Sequence, residues 1–312
     1  MRIVFMGTGE IALPCLRALL ASQHEVCAVV TQPDRPVGRH QEMHPPGPKV
    51  MAQEAGIPVL QPEKLRNAED LAELVAFAPE LIVVMAYGQI LSMDVIELPT
   101  VGCINVHASL LPRHRGASCI QAAIADGDEE SGVTIMHVVK KLDAGDVILR
   151  KRVSIGAGET GGDLHDRLAE LSPPVLLEAM EGLEAGTLER EEQDEALSTY
   201  APKLLRADGK IDWSVSAAEL SRRIRAYDPW PGTFAVFKDG KGRERRLKIY
   251  PGTEAVEVAG GPGAVRVEED GVVVCCGEGG LRLSSVQPEG GRRMTVAEFV
   301  VGHGFGDGGQ LF

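Results

Sequence analysis

The chain has 312 residues, 44% of them hydrophobic and 25% charged, with a formal net charge of −13. Length favours two domains over one large α/β unit, the composition is that of a soluble globular protein, and no stretch approaches the roughly 20 apolar residues needed to cross a bilayer. So acidic a chain is excluded from coating nucleic acid indiscriminately, because such binding depends on cationic surface.

Met1-Arg2-Ile3-Val4-Phe5-Met6-Gly7 runs straight into a buried strand, with no charged leader or cleavage site, so export is not expected. Arg2 to Met6, Val26 to Thr31, Leu81 to Ala86 and Cys103 to His107 read as strands, and Ile11 to Leu20, Lys49 to Ala55 and Ala68 to Phe77 as the helices between them. That alternation predicts a mostly parallel, Rossmann-like sheet with helices on both faces, extended by Val133 to Val139 and Val147 to Val153. From Gly162 to Gly182 the pattern is helical but interrupted by Pro173-Pro174, which predicts two helices or one kinked helix.

Glu189, Glu191, Glu192, Asp194 and Glu195 then crowd a polar stretch that reads as an interdomain linker. The expected organisation is a catalytic domain over 1–190, a linker over 191–205 and a smaller domain over 206–312. The last opens with an amphipathic helix, Ala217 to Ala226, followed by short strands between Gly-rich turns such as Gly260-Gly261-Pro262-Gly263, a pattern that fits a small OB-like β-barrel. Between Lys203 and Lys248 twelve Lys or Arg stand against six Asp or Glu, so this window carries +6 and the remainder −19. It is either one positive face suited to a particular polyanion or a solvated surface. Arg222-Arg223-Ile224-Arg225 carries the same two readings within it.

The six cysteines, at 15, 27, 103, 119, 275 and 276, form no C-x-x-C pair, and several lie in apolar runs. They are expected to be reduced, which fits a cytoplasmic protein. His40 and His44 are four apart, but the flanking prolines place them in a loop rather than on a helix that would present half a metal site. Trp213 and Trp230 are read first as core of the smaller domain and second as platforms for bases.

Gly7-Thr8-Gly9-Glu10-Ile11-Ala12 matches the turn of dinucleotide-binding folds, yet the acidic residue expected at the end of the second strand is displaced to Asp34, beyond Pro33. Nicotinamide binding and close strand–helix packing are the two readings of these glycines. The stronger constellation is Asn105-Val106-His107, then Ala108-Ser109-Leu110-Leu111-Pro112, then Leu142-Asp143-Ala144-Gly145-Asp146. Residues i and i+2 of a strand share a face, so Asn105 and His107 address one point at the carboxyl end of a parallel strand, where open sheets bind ligands. An amide, an imidazole and a carboxylate suit acyl transfer; a strand-terminal His and Asn also commonly cap loop backbone. Lys140-Lys141 either tune this site or are solvated.

The Asn-x-His, Ser-Leu-Leu-Pro and Asp-x-Gly segments resemble those of the folate-dependent formyltransferases. Thr31-Gln32-Pro33-Asp34-Arg35-Pro36-Val37-Gly38-Arg39 is similar to the loop with which one branch of that family grips the tRNA acceptor end. Ile211-Asp212-Trp213-Ser214 and Arg225-Ala226-Tyr227-Asp228-Pro229-Trp230-Pro231-Gly232 resemble the opening of that branch's C-terminal domain. The resemblance implies transfer of a formyl group from 10-formyltetrahydrofolate to methionine on initiator methionyl-tRNA, by a monomer without metal or tightly bound cofactor. It implies Asn105, His107 and Asp143 as catalytic residues, Ser109, Leu110, Leu111 and Pro112 at the folate, and Arg35, Arg39, Arg222 and Arg223 at the tRNA.

In chemical terms, an α-amine with a pKa near 8 needs no strong base to attack. Asn105 and protonated His107 would meet the charge developing on the formyl oxygen, and Asp143 would take the proton shed by nitrogen. Three departures stand out. Ala108 replaces a usual glycine, Cys119 a usual proline, and Gln41-Glu42 follow Arg39 where further basic residues are usual, which predicts a weaker phosphate grip with a shallower salt dependence.

Overall fold

The computed structural model describes residues 1–37, 41–65, 68–239, 241–268, 271–305 and 309–312. The chain divides into two compact units, the first Met1–Cys119, Ser131–Val153 and His165–Ala201, the second Ile120–Glu130, Ser154–Leu164 and Pro202–Phe312.

In chain order the first elements are β1 (Arg2–Gly7), α1 (Leu13–Ala21), β2 (Glu25–Val30), β3 (Arg35–Val37), β4 (Glu42–His44), α2 (Gly47–Glu54), β5 (Val59–Leu60), α3 (Ala68–Ala76) and β6 (Leu81–Met85). They are followed by α4 (Met93–Ile96), β7 (Gly102–His107), α5 (Cys119–Asp126), β8 (Glu130–His137), β9 (Val147–Ser154) and α6 (Gly161–Ala185). Seven strands form one sheet in the order β5-β2-β1-β6-β7-β8-β9. Pairing is parallel from β5 to β7 and turns antiparallel between β7 and β8. The mostly parallel sheet read from the sequence is present. Its central strands are apolar along their length, and Ile3, Val4, Phe5 and Met6 are wholly buried, because a sheet covered on both faces has no wet side on which to place polar residues. Each such side chain contributes about 1.5–3 kcal/mol by leaving water.

The order in which successive strands are added reverses between β1 and β6, which run parallel, and this is the switch point at which open α/β sheets leave a crevice. At that point the Gly9 amide donates to the Ala86 carbonyl at 3.4 Å. A methyl group on Gly7 would meet the Phe5 ring at 2.7 Å and the Met85 carbonyl at 3.0 Å, so close packing accounts for Gly7, whereas one on Gly9 would make only ordinary contact, 3.5 Å from the Ala86 side chain.

Pro173 and Pro174 lie inside α6, which runs unbroken as one helix rather than two. The fold tolerates the missing amide donors because Val175, Leu176, Ala179 and Met180, just beyond them, are all buried.

The second unit contains α7 (Ala217–Ala226), strands β10 (Thr233–Lys238), β11 (Glu244–Ile249), β12 (Glu254–Val256), β13 (Val265–Glu268), β14 (Gly271–Cys275), β15 (Gly280–Leu283), β16 (Ser285–Pro288) and β17 (Met294–Thr295), and α8 (Val296–Gly302). They make two four-stranded sheets, β10-β11-β16-β17 and β12-β15-β14-β13, antiparallel throughout. Trp213, Leu220, Ile224, Phe237, Leu247, Val286 and Phe299 share their core. Trp213 is therefore core, whereas Trp230 is 48% exposed beside Arg206, 5.8 Å from its ring. Both helices start on sequence-encoded caps: the Ser216 hydroxyl accepts from the Glu219 amide, and Thr295 and Glu298 cap one another reciprocally. Among the described residues no helix is long and apolar enough to cross a membrane.

Candidate active site

β7 delivers Asn105 and His107 to the carboxyl edge of the sheet, where Val84 of β6 lies opposite Asn105 and Thr134 of β8 opposite His107. Between them Val106 is buried on the other face, as the alternation of a strand requires. Asn105 stays half-buried and His107 is 6% exposed.

The imidazole is held from two sides. Its Nε2 lies 2.9 Å from the His114 carbonyl, and since a carbonyl only accepts, Nε2 carries a proton. Nδ1 is 3.8 Å from the Asp143 carboxylate, whose side chain is 11% exposed. His107 thus caps loop backbone and at the same time faces the carboxylate. Burial works against its charge, but the Cys119 side chain beside the ring, the Asp143 carboxylate and the His114 carbonyl outweigh it and raise its pKa to about 9. The upward shift favours the charged ring, whose Nε2–H is committed to His114.

Asp143 adopts φ +49°, a left-handed conformation that Asp tolerates better than most residues. Its carboxylate accepts from the Gly116 amide at 2.7 Å. Ala108, where a glycine was expected, is not among the residues of positive φ, so its methyl group brings no backbone strain.

The Ser109–Pro112 turn adjoins this pair. The Ser109 hydroxyl donates to the Arg113 carbonyl at 2.8 Å, its carbonyl accepts from Thr134 at 2.6 Å, and Leu111 packs on Met136 and Val147. Ser109 and Leu111 are buried, while Leu110 and Pro112 keep partial exposure.

The remaining expected residues fall elsewhere. Arg35 is exposed on β3, where among the described residues its guanidinium reaches the Gln32 side chain at 3.4 Å. The base of that hairpin is fixed by Asp34, which receives Gln61 at 2.8 Å and Lys49 at 2.8 Å on each oxygen; both bonds hold its carboxyl below the usual range. Arg39 and His40 lie outside the described residues. Arg222 donates to the Ala125 carbonyl at 3.2 Å, and Arg223 lies 5.9 Å from the Tyr227 ring. Lys141 is paired with Glu195 at 2.6 Å on the surface. Among the described residues no group of His, Cys, Asp and Glu could hold a metal ion.

Sequence reading missed three contributors: Cys119, noticed only as an unusual residue; Arg115, 5% exposed; and Gln193, 5% exposed within the acidic stretch. The last had no spacing signal that could have singled it out.

Two family models match the chain: formyl transferase over residues 1–180, and the formyl transferase C-terminal domain over residues 203–304. A methionyl-tRNA formyltransferase of Akkermansia muciniphila is 55% identical over 97% of this chain and 97% of its own, and one of Pseudomonas fluorescens is 50% identical over 96% and 92%. Among solved structures, an N-formyltransferase from Helicobacter canadensis, crystallised with folinic acid and dTDP-3-aminofucose, superposes with a TM-score of 0.64 at 18% identity, covering 91% of this chain and 98% of that one. At that identity it speaks for the fold.

Proposed function

This chain belongs to the formyl transferase family, and we propose that it moves the formyl group of 10-formyltetrahydrofolate to the α-amino group of methionine on initiator methionyl-tRNA, supporting translation initiation. The observation that carries this reading is the end-to-end similarity to curated enzymes that bear that activity's name. The residues present suit the chemistry. The amine attacks the formyl carbon, and the developing oxyanion is met by the Asn105 carboxamide and by the charged His107, whose pKa of about 9 keeps it a donor at neutral pH. The attacking nitrogen, now cationic, passes a proton to Asp143, directly or through water, and the folate nitrogen takes up a proton in return as its bond to the formyl carbon breaks and the carbonyl re-forms. That carboxylate also stabilises the imidazolium from 3.8 Å.

Ser109, Leu110, Leu111 and Pro112 border the folate, Leu110 and Pro112 offering the accessible surface. Arg35 and Arg39 meet the tRNA acceptor end, with Arg222 and Arg223 on the basic helix of the second unit. The enzyme acts as a monomer in the cytoplasm.

The test is transfer of labelled formyl from 10-formyltetrahydrofolate to charged initiator tRNA, beside His107→Ala and a no-tRNA control. Product from the parent and none from the variant supports both acceptor and site. Folate turnover without tRNA modification would move the acceptor elsewhere, to a sugar amine or to water.

A further inference from the structure

The stretch read as a linker is held against the first unit at both ends. Glu191 exchanges two backbone hydrogen bonds with Val147, at 2.8 and 2.9 Å. Further on, the Arg115 amide donates to the Thr199 carbonyl at 2.9 Å and the Ala201 amide to the Arg115 carbonyl at 2.7 Å. Between these clamps Gln193 turns inward. Its Nε2 donates to the carbonyls of Asp143, at 2.9 Å, and Gly145, at 2.7 Å. Its Oε1 accepts from Arg115 Nε at 3.1 Å and Nη2 at 2.9 Å. A carboxamide offers two donors and two acceptor sites, and all four are used.

One side chain therefore joins two loops. The 143–145 turn carries Asp143, and the loop of Arg115 continues into Gly116, whose amide holds the Asp143 carboxylate. A residue at φ +49° relaxes unless its neighbours over-determine it, and here the grip comes from the Gly116 amide on one side and Gln193 on the other. Arg115 is itself anchored through Nη1 to Glu195 at 3.0 Å, so Gln193 pulls against a fixed point.

We propose that Gln193 is a positioning residue for formyl transfer: by holding the backbone of the Asp143 turn against Arg115, it keeps the Asp143 carboxylate facing His107. This rests on the roles given to His107 and Asp143 above. The residue type is specific, because the two carbonyls demand donors and the guanidinium demands an acceptor. Glutamate lacks the first and lysine the second.

The experiment compares the parent with Gln193→Met, which keeps length and neutrality but removes all four bonds, and Gln193→Glu, which keeps the acceptor for Arg115 and withdraws both donors. Each variant should lose about 10- to 100-fold in kcat per folded molecule, the scale of a small misplacement of reacting groups, while KM for folate and for tRNA stays within about twofold. In the ligand-free Met variant the titration of the His107 ring, followed by NMR, should move about 1 pH unit lower as the carboxylate retreats; Cys119 and the His114 carbonyl remain. A purely structural role would lower the folded fraction and move neither readout. Parental kcat with an unmoved His107 titration overturns the proposal. If Gln193→Met does not fold, kcat of Gln193→Glu decides. If the parent itself fails to formylate methionyl-tRNA, the functional reading falls, and the His107 titration still decides the role of Gln193.

Discussion

His107 Nε2 donates to the His114 carbonyl at 2.9 Å, which leaves Nδ1, turned towards Asp143, as the nitrogen that gains and loses the titrating proton. Two groups then set the pH dependence. The acceptor amine must be neutral to attack and has an ordinary pKa near 8, whereas His107 must be charged to donate and holds its proton to about 9. Formyl transfer should rise with pH through about 8, the amine's value, and fall as pH passes that of His107. Asp143→Asn should draw the falling limb about 1 pH unit lower and leave the rising limb in place. The check is kcat/KM for methionyl-tRNA across pH at saturating folate; a rate still climbing beyond His107's value would sink the imidazolium's role.

Asn105 makes a sharper test of the oxyanion argument, because it carries no charge and is only half-buried. Removing one preorganised donor costs roughly 100- to 1,000-fold in kcat, with little change in ground-state binding. Asn105→Ala should show that split between kcat and KM in steady-state kinetics. A raised KM at parental kcat would make Asn105 a binding contact instead.

Parts of this architecture were legible for physical reasons. Strands buried on both faces must be apolar throughout, so β1, β6 and β7 stood out, and strict alternation put Asn105 and His107 on one face. Pro173-Pro174 pointed to two helices or one kinked helix because local backbone cost dominates a sequence reading; the buried side chains beyond them, which offset that cost and keep one helix, are a tertiary fact. The approach of Asp143 to His107 depends on two loops meeting, which no periodicity encodes and only the family resemblance supplied. Gln193 was invisible for a different reason. Its neighbours Glu192, Asp194 and Glu195 are exposed and acidic, and one inward-facing amide among them leaves no trace in composition.

Gly145 is held by packing rather than by its backbone angles. A Cβ there would run into the His137 carbonyl oxygen, and its own carbonyl is one of the two that Gln193 holds. The obstacle is backbone, so the turn must move. Gly145→Ala should cost about 1–3 kcal/mol, as overpacking typically does, and should lower kcat because Asp143 is two residues away. Thermal unfolding and steady-state kinetics on one preparation check both; a fully stable, fully active variant would mean that the turn is softer than its contacts imply.

The basic residues separate by what already engages them. Arg35 is exposed and, among the described residues, makes one long hydrogen bond, to Gln32, on a hairpin whose base is pinned by Asp34, Lys49 and Gln61, so its guanidinium is presented on a fixed stem where it can meet phosphate. Arg222 instead spends its Nε on the Ala125 carbonyl, and its side chain lies over Gly127, where an added methyl group would come within 3.1 Å of Nε. Each phosphate contact contributes close to one unit of slope in a plot of log affinity against log salt. Arg35→Ala should therefore flatten that plot for tRNA by about 1. Arg222→Ala should flatten it less and cost about 1 kcal/mol of stability through the lost hydrogen bond. Filter binding of initiator tRNA across a salt series, beside thermal unfolding of both variants, reads the two effects. A steeper loss of slope for Arg222 than for Arg35 would place the main phosphate contact on the second unit's helix rather than on the hairpin.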